Sequence, residues 1–190
     1  AIQKHSIYLN GKEYNPQIDE AYMMLGKARY YSQRFVPAID AFNFILNRYP
    51  SSNSINEARM WKAKCNIQLG NEDVAIKELL ELFGKEGLTE QDKADAAAIM
   101  AQAYINLDTL PAALPMIQMA ASMIKDKELQ GRYRFIEGQI QNRLEQPDSA
   151  NSAFQRVIDL KRNTSRTYYV RSFLEQVKNF NYAQGDTVAL

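Results

Sequence analysis

The side chains that most often act as nucleophiles, general bases or metal ligands are scarce in this chain. Its 190 residues include one histidine, His5, and one cysteine, Cys65. A lone histidine excludes any metal site built from several histidines, and a structural or solvated role is favoured for it over a place in a catalytic triad. Cys65 has no partner for an internal disulfide and lies beside Ile67 and Leu69 in an apolar-periodic stretch. This setting favours a small buried packing residue over a nucleophile.

Paired carboxylates and glycine-rich segments also have structural interpretations here. Asp19-Glu20 and Glu72-Asp73 lie at or near predicted helix starts, where the helix dipole favours negative charge. Gly84-Lys85-Glu86-Gly87 lacks the spacing of a phosphate-binding loop and is typical of a helix stop and turn. Asn163-Thr164-Ser165 formally matches a glycosylation acceptor, but so short a pattern often occurs by accident. The sequence therefore predicts a protein that is not an enzyme and binds no cofactor or metal.

The composition is that of an ordinary globular chain. It is 46% hydrophobic, and 23 basic against 22 acidic side chains leave a formal net charge of +1. So small a charge creates no strong field for nucleic acid or an anionic bilayer, and no apolar run approaches the roughly 18 residues of a membrane span. We therefore predict no nucleic-acid partner. Because the chain opens at Ala1 without a methionine or signal segment, we also expect it to be a fragment of a longer protein.

Small residues recur along the chain at a nearly constant spacing. Ala38, Ala75, Ala113 and Ala150 are separated by 37, 38 and 37 residues. Twelve residues before them lie Gly26, Ala63, Ala101 and Gly138, and four residues after them lie Phe42, Leu79, Ile117 and Phe154. Two further sets keep the register: Ala28, Cys65, Ala103 and Ile140, and Ile45, Leu82, Ala120 and Val157. Such a period indicates stacked helical hairpins, in which small residues at the closest approach of two helices face bulky ones.

Apolar residues recur at helical spacing almost throughout, and alternating β-branched runs are absent, so the predicted class is all-α. The predicted helices are residues 17–33, 36–49, 55–69, 72–84, 90–107, 111–125, 128–144, 148–161 and 165–180. Pro37, Pro111 and Pro147 lie near helix starts, where a missing N–H costs little. Pro115 fits the sixth helix only if that helix begins late enough to keep Pro115 in the first turn.

The register resembles the tetratricopeptide repeat, whose pattern runs through a large residue, Leu-Gly, an aromatic residue, Ala, Phe and Pro. The first copy matches best, through Tyr22, Leu25, Gly26, Ala38, Phe42 and Pro50. Two later copies replace Gly26 by Ala63 and Ala101, and the terminal proline is absent after the first copy. The period exceeds the usual length of about 34 residues, which longer helices or loops would absorb.

The resemblance implies a right-handed α-solenoid of about four helical hairpins, at residues 19–52, 56–89, 94–127 and 131–164, plus a C-terminal capping helix at 165–180. The capping residues would be Tyr169, Phe173, Val177 and Phe180. We expect residues 1–190 to form a single domain of this kind. Arrays of this family act as non-enzymatic scaffolds for protein–protein interactions.

A narrower resemblance starts at the N-terminus. The string His5-Ser6-Ile7-Tyr8-Leu9-Asn10-Gly11-Lys12-Glu13-Tyr14-Asn15, followed by Asp19 to Lys27, resembles the lipoproteins of type IX secretion and gliding motility, the SprE/PorW family. This resemblance implies a periplasmic protein associated with the outer membrane, in contact with other subunits of a secretion machine. It would contact the membrane only through a missing N-terminal anchor, a lipidated cysteine before Ala1, because Cys65 is internal.

In tetratricopeptide repeats the first helix of each hairpin lines a concave face that binds a protein or peptide. The matching positions are Met23, Lys27, Tyr30 and Tyr31, then Met60, Lys64 and Ile67, then Gln102 and Ile105, then Phe135, Gln139 and Arg143. Exposed methionines, aromatic residues and long cations would suit a helix or an extended peptide. Alternatively, Met23, Met60 and Phe135 pack between repeats, because periodicity does not separate these two kinds of contact.

Two other binding functions stay open. A glycan-binding outer-membrane lipoprotein would need exposed aromatic platforms, whereas Trp61, the only tryptophan, is predicted to be packed. A chaperone-type peptide-binding module would use a Lys and Asn clamp for a C-terminal carboxylate, but Met23 and Lys27 occupy the first two clamp positions. The assembly scaffold is therefore the favoured function.

Overall fold

The structure is a computed structural model that describes residues 7–9, 12–14, 17–85 and 87–180. The helices in this part of the chain are α1 (Ile18–Tyr31), α2 (Phe35–Arg48), α3 (Ile55–Gln68), α4 (Glu72–Phe83), α5 (Glu90–Asn106), α6 (Leu110–Met123), α7 (Lys127–Arg143), α8 (Pro147–Asp159) and α9 (Arg166–Lys178). Every predicted helix is present, with ends within two residues of the predicted ones. The all-α class and the succession of helical hairpins are confirmed.

A short antiparallel strand pair precedes the helices and was not predicted. It consists of β1 (Ile7–Leu9) and β2 (Lys12–Tyr14), with Ile7 opposite Tyr14. The residues between the strands are Asn10-Gly11, a dipeptide that is the strongest short-range sequence signal for a two-residue hairpin. With three residues in each strand, the pair leaves the fold class unchanged.

The chain divides between Gly87 and Leu88 into two compact units. Unit 1 contains the hairpins α1–α2 and α3–α4, and unit 2 contains α5–α6, α7–α8 and α9. The first helices of the unit 2 hairpins are 17 residues long, against 14 in unit 1. Longer helices therefore absorb part of the extended period, as expected. The single domain spanning residues 1–190 stays a prediction.

All four hairpins turn in the same way. A residue with positive φ follows the first helix at the second position after its end: Gln33 (58°), Gly70 (76°), Asp108 (55°) and Glu145 (59°). The next N–H donates to a carbonyl five residues back, as from Arg34 N to Arg29 O at 2.8 Å. This is the Schellman motif, which satisfies the last carbonyls of a helix while it reverses the chain. Because the turn has one length throughout, the paired helices keep the same register in every hairpin.

Unit 1 is packed around Phe42 on α2. Phe42 is completely buried, and the buried side chains clustered with it are Met23, Ala38, Ile45, Ala58 and Cys65. A Cβ atom placed on Gly26 would overlap the Phe42 ring. Glycine at this position is therefore what allows α1 and α2 to approach so closely. The recurring small residues mark helix contacts, as predicted.

One position of the predicted register is not uniformly buried. Cys65 and Ile140 pack against residues of the preceding hairpin, whereas Ala28, their counterpart in the first hairpin, is exposed. The described residues include no helix before α1 that covers Ala28. Burial at this position therefore depends on the neighbouring hairpin and not on the residue type.

The same helix contacts recur in unit 2 with different side chains. Ala101 on α5 clusters with Ala113 and Ile117 on α6. A Cβ atom on Gly138 of α7 would lie 2.5 Å from the Phe154 ring of α8. Glycine thus pairs with phenylalanine, and alanine pairs with a smaller aliphatic side chain. The two sizes compensate, so both hairpins reach close packing.

Pro115 lies inside α6 and not in its first turn. The helix begins at Leu110, within one residue of the predicted start, and has Pro111 in its first turn, so the condition under which Pro115 would fit the first turn is not met. Proline donates no hydrogen bond, and the carbonyl four residues before Pro115 loses its helical partner. Pro115 and Pro111 are both exposed, so water can solvate this carbonyl.

α9 packs on the fourth hairpin, but through a different face from the predicted one. The residues predicted to cover the hairpin are half-buried or exposed: Tyr169, Phe173, Val177 and Phe180. The packed face instead carries Ser172, which is completely buried, and Tyr168, whose ring centroid lies 5.4 Å from that of Phe135. The segment has two adjacent helical stripes, one through Ser172 and one through Phe173 and Val177. The stripe with the small Ser172 is the packed one, because a small side chain allows close packing against a neighbouring helix.

The rest of the packed face of α9 is polar. Gln176 Nε2 donates to Asn151 O at 3.1 Å, and Asn179 Nδ2 donates to Asn142 Oδ1 at 2.8 Å. The exposed side of the helix carries an apolar stripe of Val170, Phe173, Leu174 and Val177. The helix therefore covers the fourth hairpin with hydrogen bonds and one aromatic ring, and not with the apolar residues that periodicity indicated.

Candidate functional site

Four of the predicted binding residues converge around Trp61 in unit 1. Lys27, Tyr30 and Tyr31 lie on α1, and Lys64 lies one turn after Trp61 on α3. The Tyr30 and Tyr31 rings meet the Trp61 ring edge to face, with centroids 5.2 and 5.7 Å from its centroid. These five residues are named the aromatic patch. The helices α1 and α3 are the first helices of adjacent hairpins, the helices from which the repeat resemblance draws the binding residues.

The aromatic patch is partly open to solvent. Tyr31 is 73% exposed, and the other four side chains are half-buried. Burial raises the pKa of Tyr30, so its phenol stays protonated and can donate a hydrogen bond at neutral pH. An exposed tyrosine that rests on a rigid aromatic cluster is a typical anchor for a protein partner, because little side-chain entropy is lost on binding.

Two lysines give the aromatic patch its charge. Lys64 Nζ lies 4.2 Å from the Trp61 ring centroid, and Lys27 Nζ lies 5.6 Å from it. At these distances an ammonium group is attracted by the ring. Glu57 Oε1 accepts from Lys27 Nζ at 2.6 Å and from Trp61 Nε1 at 3.2 Å. Two ammonium groups and one carboxylate therefore lie around the Trp61 ring.

The other predicted residues of unit 1 belong to the core. Met23, Met60 and Ile67 are 4%, 5% and 5% exposed, so a partner does not reach them while the helices are packed. For the two methionines, the alternative of packing between helices is the observed arrangement. Successive helical residues point about 100° apart, so Met60 faces the core although it is adjacent to Trp61.

The predicted residues of unit 2 do not form a comparable patch. Phe135 is 4% exposed and clusters with Ala150, Phe154 and Val157 of its own hairpin, and not between repeats. Ile105 is half-buried against the core of α5, α6 and α7. Three of the predicted residues are exposed: Gln102, Gln139 and Arg143. The described aromatic side chains of unit 2 make no stacking or cation–π contact with them. The structure therefore brings together only the unit 1 members of the predicted set.

Trp61 and Glu57 are the site residues that the sequence reasoning missed. Trp61 packs against the core cluster around Phe42, as predicted, but it is only half-buried and also forms the centre of the patch. Glu57, Trp61 and Lys64 follow one another at i, i+4 and i+7, the spacing of one helical stripe. That stripe was the available signal, because it combines an aromatic residue with both charges on one face of α3.

The other candidates for chemistry have structural settings. Asp19-Glu20 and Glu72-Asp73 lie in the first turns of α1 and α4, where negative charge is favoured. Cys65 is completely buried, as predicted, and burial raises the pKa of its thiol to about 12. A thiol that stays protonated at neutral pH is a poor nucleophile. His5 and Glu86 lie outside the described residues.

Neither a metal site nor a membrane-spanning helix is present in residues 7–9, 12–14, 17–85 and 87–180. In these ranges no group of three or more histidine, cysteine, aspartate or glutamate side chains is placed to hold a metal ion. No helix of the described chain is both long and apolar enough to cross a membrane. Asn163 of the glycosylation-like pattern is exposed, whereas Thr164 beside it is buried.

A family model matches one repeat of this chain, and solved structures match its fold. The tetratricopeptide repeat family model matches residues 20–52, which cover the hairpin α1–α2 and the turn after it. No curated protein matches the chain. A structure from Podospora anserina contains the TPR-like repeats of a putative kinesin light chain, which are nearly identical to one another. It superposes on this chain with a TM-score of 0.68 at 11% identity, over 92% of this chain and 91% of its own.

Two bacterial structures show the same likeness. A tetratricopeptide repeat protein from Parabacteroides merdae has a TM-score of 0.64 at 13% identity, over 90% of this chain and 68% of its own. A thermophilic TPR protein from Thermus thermophilus has a TM-score of 0.60 at 18% identity, over 87% and 89%. At these identities the likeness concerns the fold alone. The first hairpin is therefore a tetratricopeptide repeat, and the chain has the fold of the tetratricopeptide-repeat proteins.

Proposed function

We propose that this chain is a non-enzymatic scaffold that binds a polypeptide partner through the aromatic patch. Tetratricopeptide repeats stack hairpins into extended binding surfaces, and the patch lies on the first helices of two neighbouring hairpins. The observation that carries the proposal is Tyr31, 73% exposed and 5.7 Å from the Trp61 ring. An aromatic side chain held open to solvent on a rigid support is typical of an anchor for a protein partner.

The chemistry of the patch favours a partner that places an acidic residue beside an apolar or aromatic one. The acidic group would approach the ammonium groups of Lys64 and Lys27, which lie 4.2 and 5.6 Å from the Trp61 ring centroid. The apolar group would rest on the Tyr31 ring. A helix or an extended peptide can present both groups at the spacing of one helical turn.

We further propose that the scaffold serves a type IX secretion and gliding-motility assembly on the periplasmic side of the outer membrane. The support is the resemblance of the string from His5 to Asn15, and of Asp19 to Lys27, to the SprE/PorW lipoproteins. The partner would then be another subunit of that machinery. This context rests on the sequence resemblance and not on the aromatic patch.

A glycan partner fits the patch less well than a peptide. A sugar ring stacks on an open aromatic face, but Lys64 Nζ lies 4.2 Å from the Trp61 centroid and covers that ring. The neighbouring tyrosine rings meet Trp61 edge to face. Only Tyr31 in the patch offers a largely exposed ring. The lysines are better suited to a carboxylate than to a neutral sugar.

The test uses the full chain as bait in a membrane fraction of its source organism. We expect the unmodified chain to recover subunits of the secretion machinery. Lys64→Glu and Tyr31→Ala should each reduce recovery about tenfold or more, since charge reversal and loss of an aromatic anchor remove central contacts. Arg132→Glu is the matched control, because it reverses an exposed cation on a first helix outside the patch.

Two results would contradict the proposal. Equal recovery by Lys64→Glu and by the unmodified chain would place the partner elsewhere on the molecule. An empty pull-down together with clear hits on a glycan array would favour the glycan-binding function. Melting curves of all variants establish that each is folded.

A further inference from the structure

Unit 2 contains a polar pocket of about 490 Å³ between α6, α7 and α8. The α7 residues in it are Arg134, Glu137 and Gln141, at i, i+3 and i+7 on one helical stripe. The other lining residues are Gln118, Met119 and Ser122 on α6 and Ser149, Ser152 and Arg156 on α8. The pocket shares no residue with the aromatic patch, which lies in the other unit.

A buried carboxylate organises the pocket. Glu137 is 1% exposed, and its Oε2 accepts from Arg134 Nη1 at 2.7 Å. Its Oε1 accepts from Gln118 Nε2 at 3.2 Å and from Arg156 Nη2 at 3.4 Å. A buried ion pair is weak support for stability, because desolvation offsets the attraction. Its clearer effect is to hold the guanidinium groups of Arg134 and Arg156 beside each other. Because two arginines share one glutamate, the pocket carries a net positive charge.

The arginines keep hydrogen-bond donors for a ligand. The Arg156 side chain is 49% exposed and the Arg134 side chain 17% exposed, so Arg156 lies nearer the mouth of the pocket. Each guanidinium carries several N–H donors in a planar fork, and the bonds to Glu137 use only part of them. This fork matches the two oxygens of a carboxylate. Ser149 and Ser152 add exposed hydroxyl groups at the rim.

Gln141 gives the pocket a hydrogen-bond acceptor in addition to the arginine donors. Its side chain is 5% exposed, and its Oε1 has no hydrogen-bond partner among the described residues. A buried amide oxygen without a donor is unfavourable, and native structures rarely leave one without a reason. A ligand that brought an N–H group into the pocket would satisfy it. The pocket therefore presents donors for an anion beside one acceptor that lacks a donor.

We propose that this pocket binds a carboxylate that carries an N–H donor beside it, as in an aspartate or glutamate residue. The carboxylate accepts from Arg156 and Arg134, and the N–H donates to Gln141 Oε1. Two sources share this chemistry: an acidic segment of a polypeptide and a free acidic amino acid. The proposal does not rest on the aromatic patch, because the two sites have no residue in common.

The experiment is a titration of the ¹⁵N-labelled full chain followed by amide chemical shifts. The three probes are an acetylated and amidated tetra-aspartate peptide, free aspartate, and succinate, which has carboxylates but no N–H. We expect the peptide, free aspartate or both to shift amides of α6, α7 and α8 around the pocket. Succinate should bind about tenfold more weakly, because it leaves Gln141 Oε1 without a donor.

Variants separate the two parts of the site. Arg156→Glu should abolish the shifts, and Gln141→Leu should reduce the affinity for aspartate to that for succinate while the protein melts no lower than before. The matched control is Arg132→Glu, which reverses an exposed arginine of α7 that does not line the pocket. This control should bind like the unmodified chain.

The outcomes distinguish the sources and can overturn the proposal. Binding of the peptide without free aspartate identifies an acidic segment, and equal binding identifies the amino acid; both support the site. Absence of shifts with all three probes would overturn it. Unchanged binding in Arg156→Glu, or succinate that binds as tightly as whichever of the peptide and free aspartate binds, would do the same. Failure of the pull-down on the aromatic patch would leave this result unaffected.

Discussion

At the scale of single residues, the width of each helix pair depends on one small side chain that faces one large side chain. Gly26 faces Phe42, and Gly138 faces Phe154. In the other two hairpins alanine takes the glycine position, and leucine or isoleucine takes the phenylalanine position. The combined volume stays nearly constant, which is what close packing at a fixed helix separation requires.

This pairing predicts that one substitution can compensate another. Gly138→Ala should lower the free energy of unfolding by about 1–3 kcal/mol, because its methyl group overlaps the Phe154 ring. Phe154→Leu alone should also destabilise, through the cavity that it leaves. The double variant reproduces the sizes found in the second hairpin and should be more stable than the sum of the single losses predicts. Urea unfolding of the four proteins measures the coupling, and strictly additive losses would contradict the pairing.

Cys65 predicts a pH dependence of stability. Burial raises the pKa of its thiol from 9.0 to about 12, so the folded state keeps a proton that the unfolded state releases first. The stabilisation is therefore complete below about pH 9 and is lost as the pH rises towards 12, by up to about 1.4 kcal/mol per pH unit. Cys65→Ala should show a flatter decline in urea unfolding across this range. Parallel curves for the two proteins would contradict the prediction.

At the scale of elements, the repeated turn within the hairpins is the feature that a sequence pattern reveals least. Four Schellman turns place a residue at positive φ, yet only one of these residues, Gly70, is glycine. The other three are Gln33, Asp108 and Glu145. A side chain at positive φ costs free energy that glycine avoids. The hairpins tolerate this cost because the packing of the two helices determines the turn.

Glycine at the first of these positions should therefore stabilise the protein. Gln33→Gly is expected to raise the free energy of unfolding by about 0.5–1 kcal/mol, because relief of the positive φ exceeds the entropy that glycine loses on folding. Gly70→Gln makes the reverse change in an equivalent turn and should lower it by a similar amount. Thermal unfolding followed by circular dichroism measures both. A lower melting temperature for Gln33→Gly would argue against strain at this turn.

The helix faces show a further limit at this scale. On α9 the apolar stripe through Phe173 and Val177 is the exposed one, and the stripe through Ser172 is packed. On α3 Met60 is in the core, whereas its neighbour Trp61 is half-buried at the surface. Hydrophobic periodicity identifies that a helix has a packed side. When two adjacent stripes of a helix both carry residues that could pack against a neighbour, periodicity does not decide which of the two stripes is the packed one.

At the scale of the whole molecule, the two units carry different surfaces. Unit 1 presents an aromatic patch with two lysines, and unit 2 presents a polar pocket with two arginines. The chain as a whole has a formal net charge of only +1. Attraction of an acidic partner therefore depends on local groups and not on a field of the entire molecule. Both proposed sites should accordingly lose affinity as salt screens those groups.

Most of the architecture could be predicted from the sequence, because each hairpin repeats the same contacts. The helix ends followed from glycine, proline and polar breaks, and the paired helices followed from residues such as Ala38 and Ala75. The β-hairpin at Ile7–Leu9 and Lys12–Tyr14 was missed, although Asn10-Gly11 signals it. For the candidate sites the prediction was partial: Lys27, Tyr30, Tyr31 and Lys64 do meet, but around a tryptophan assigned to packing.

The sequence by itself determined the class, the period and the places where helices touch, because these depend on side-chain size and on spacing along one chain. Only the tertiary structure decided which side chains of those helices remain open. Exposure depends on what the neighbouring helix covers. Ala28 is exposed, whereas Cys65 and Ile140, at the same position of later hairpins, are buried. The cluster of Arg134, Glu137 and Arg156 likewise joins two helices. No spacing within either helix specifies that meeting, because it arises from the packing of one helix against the next.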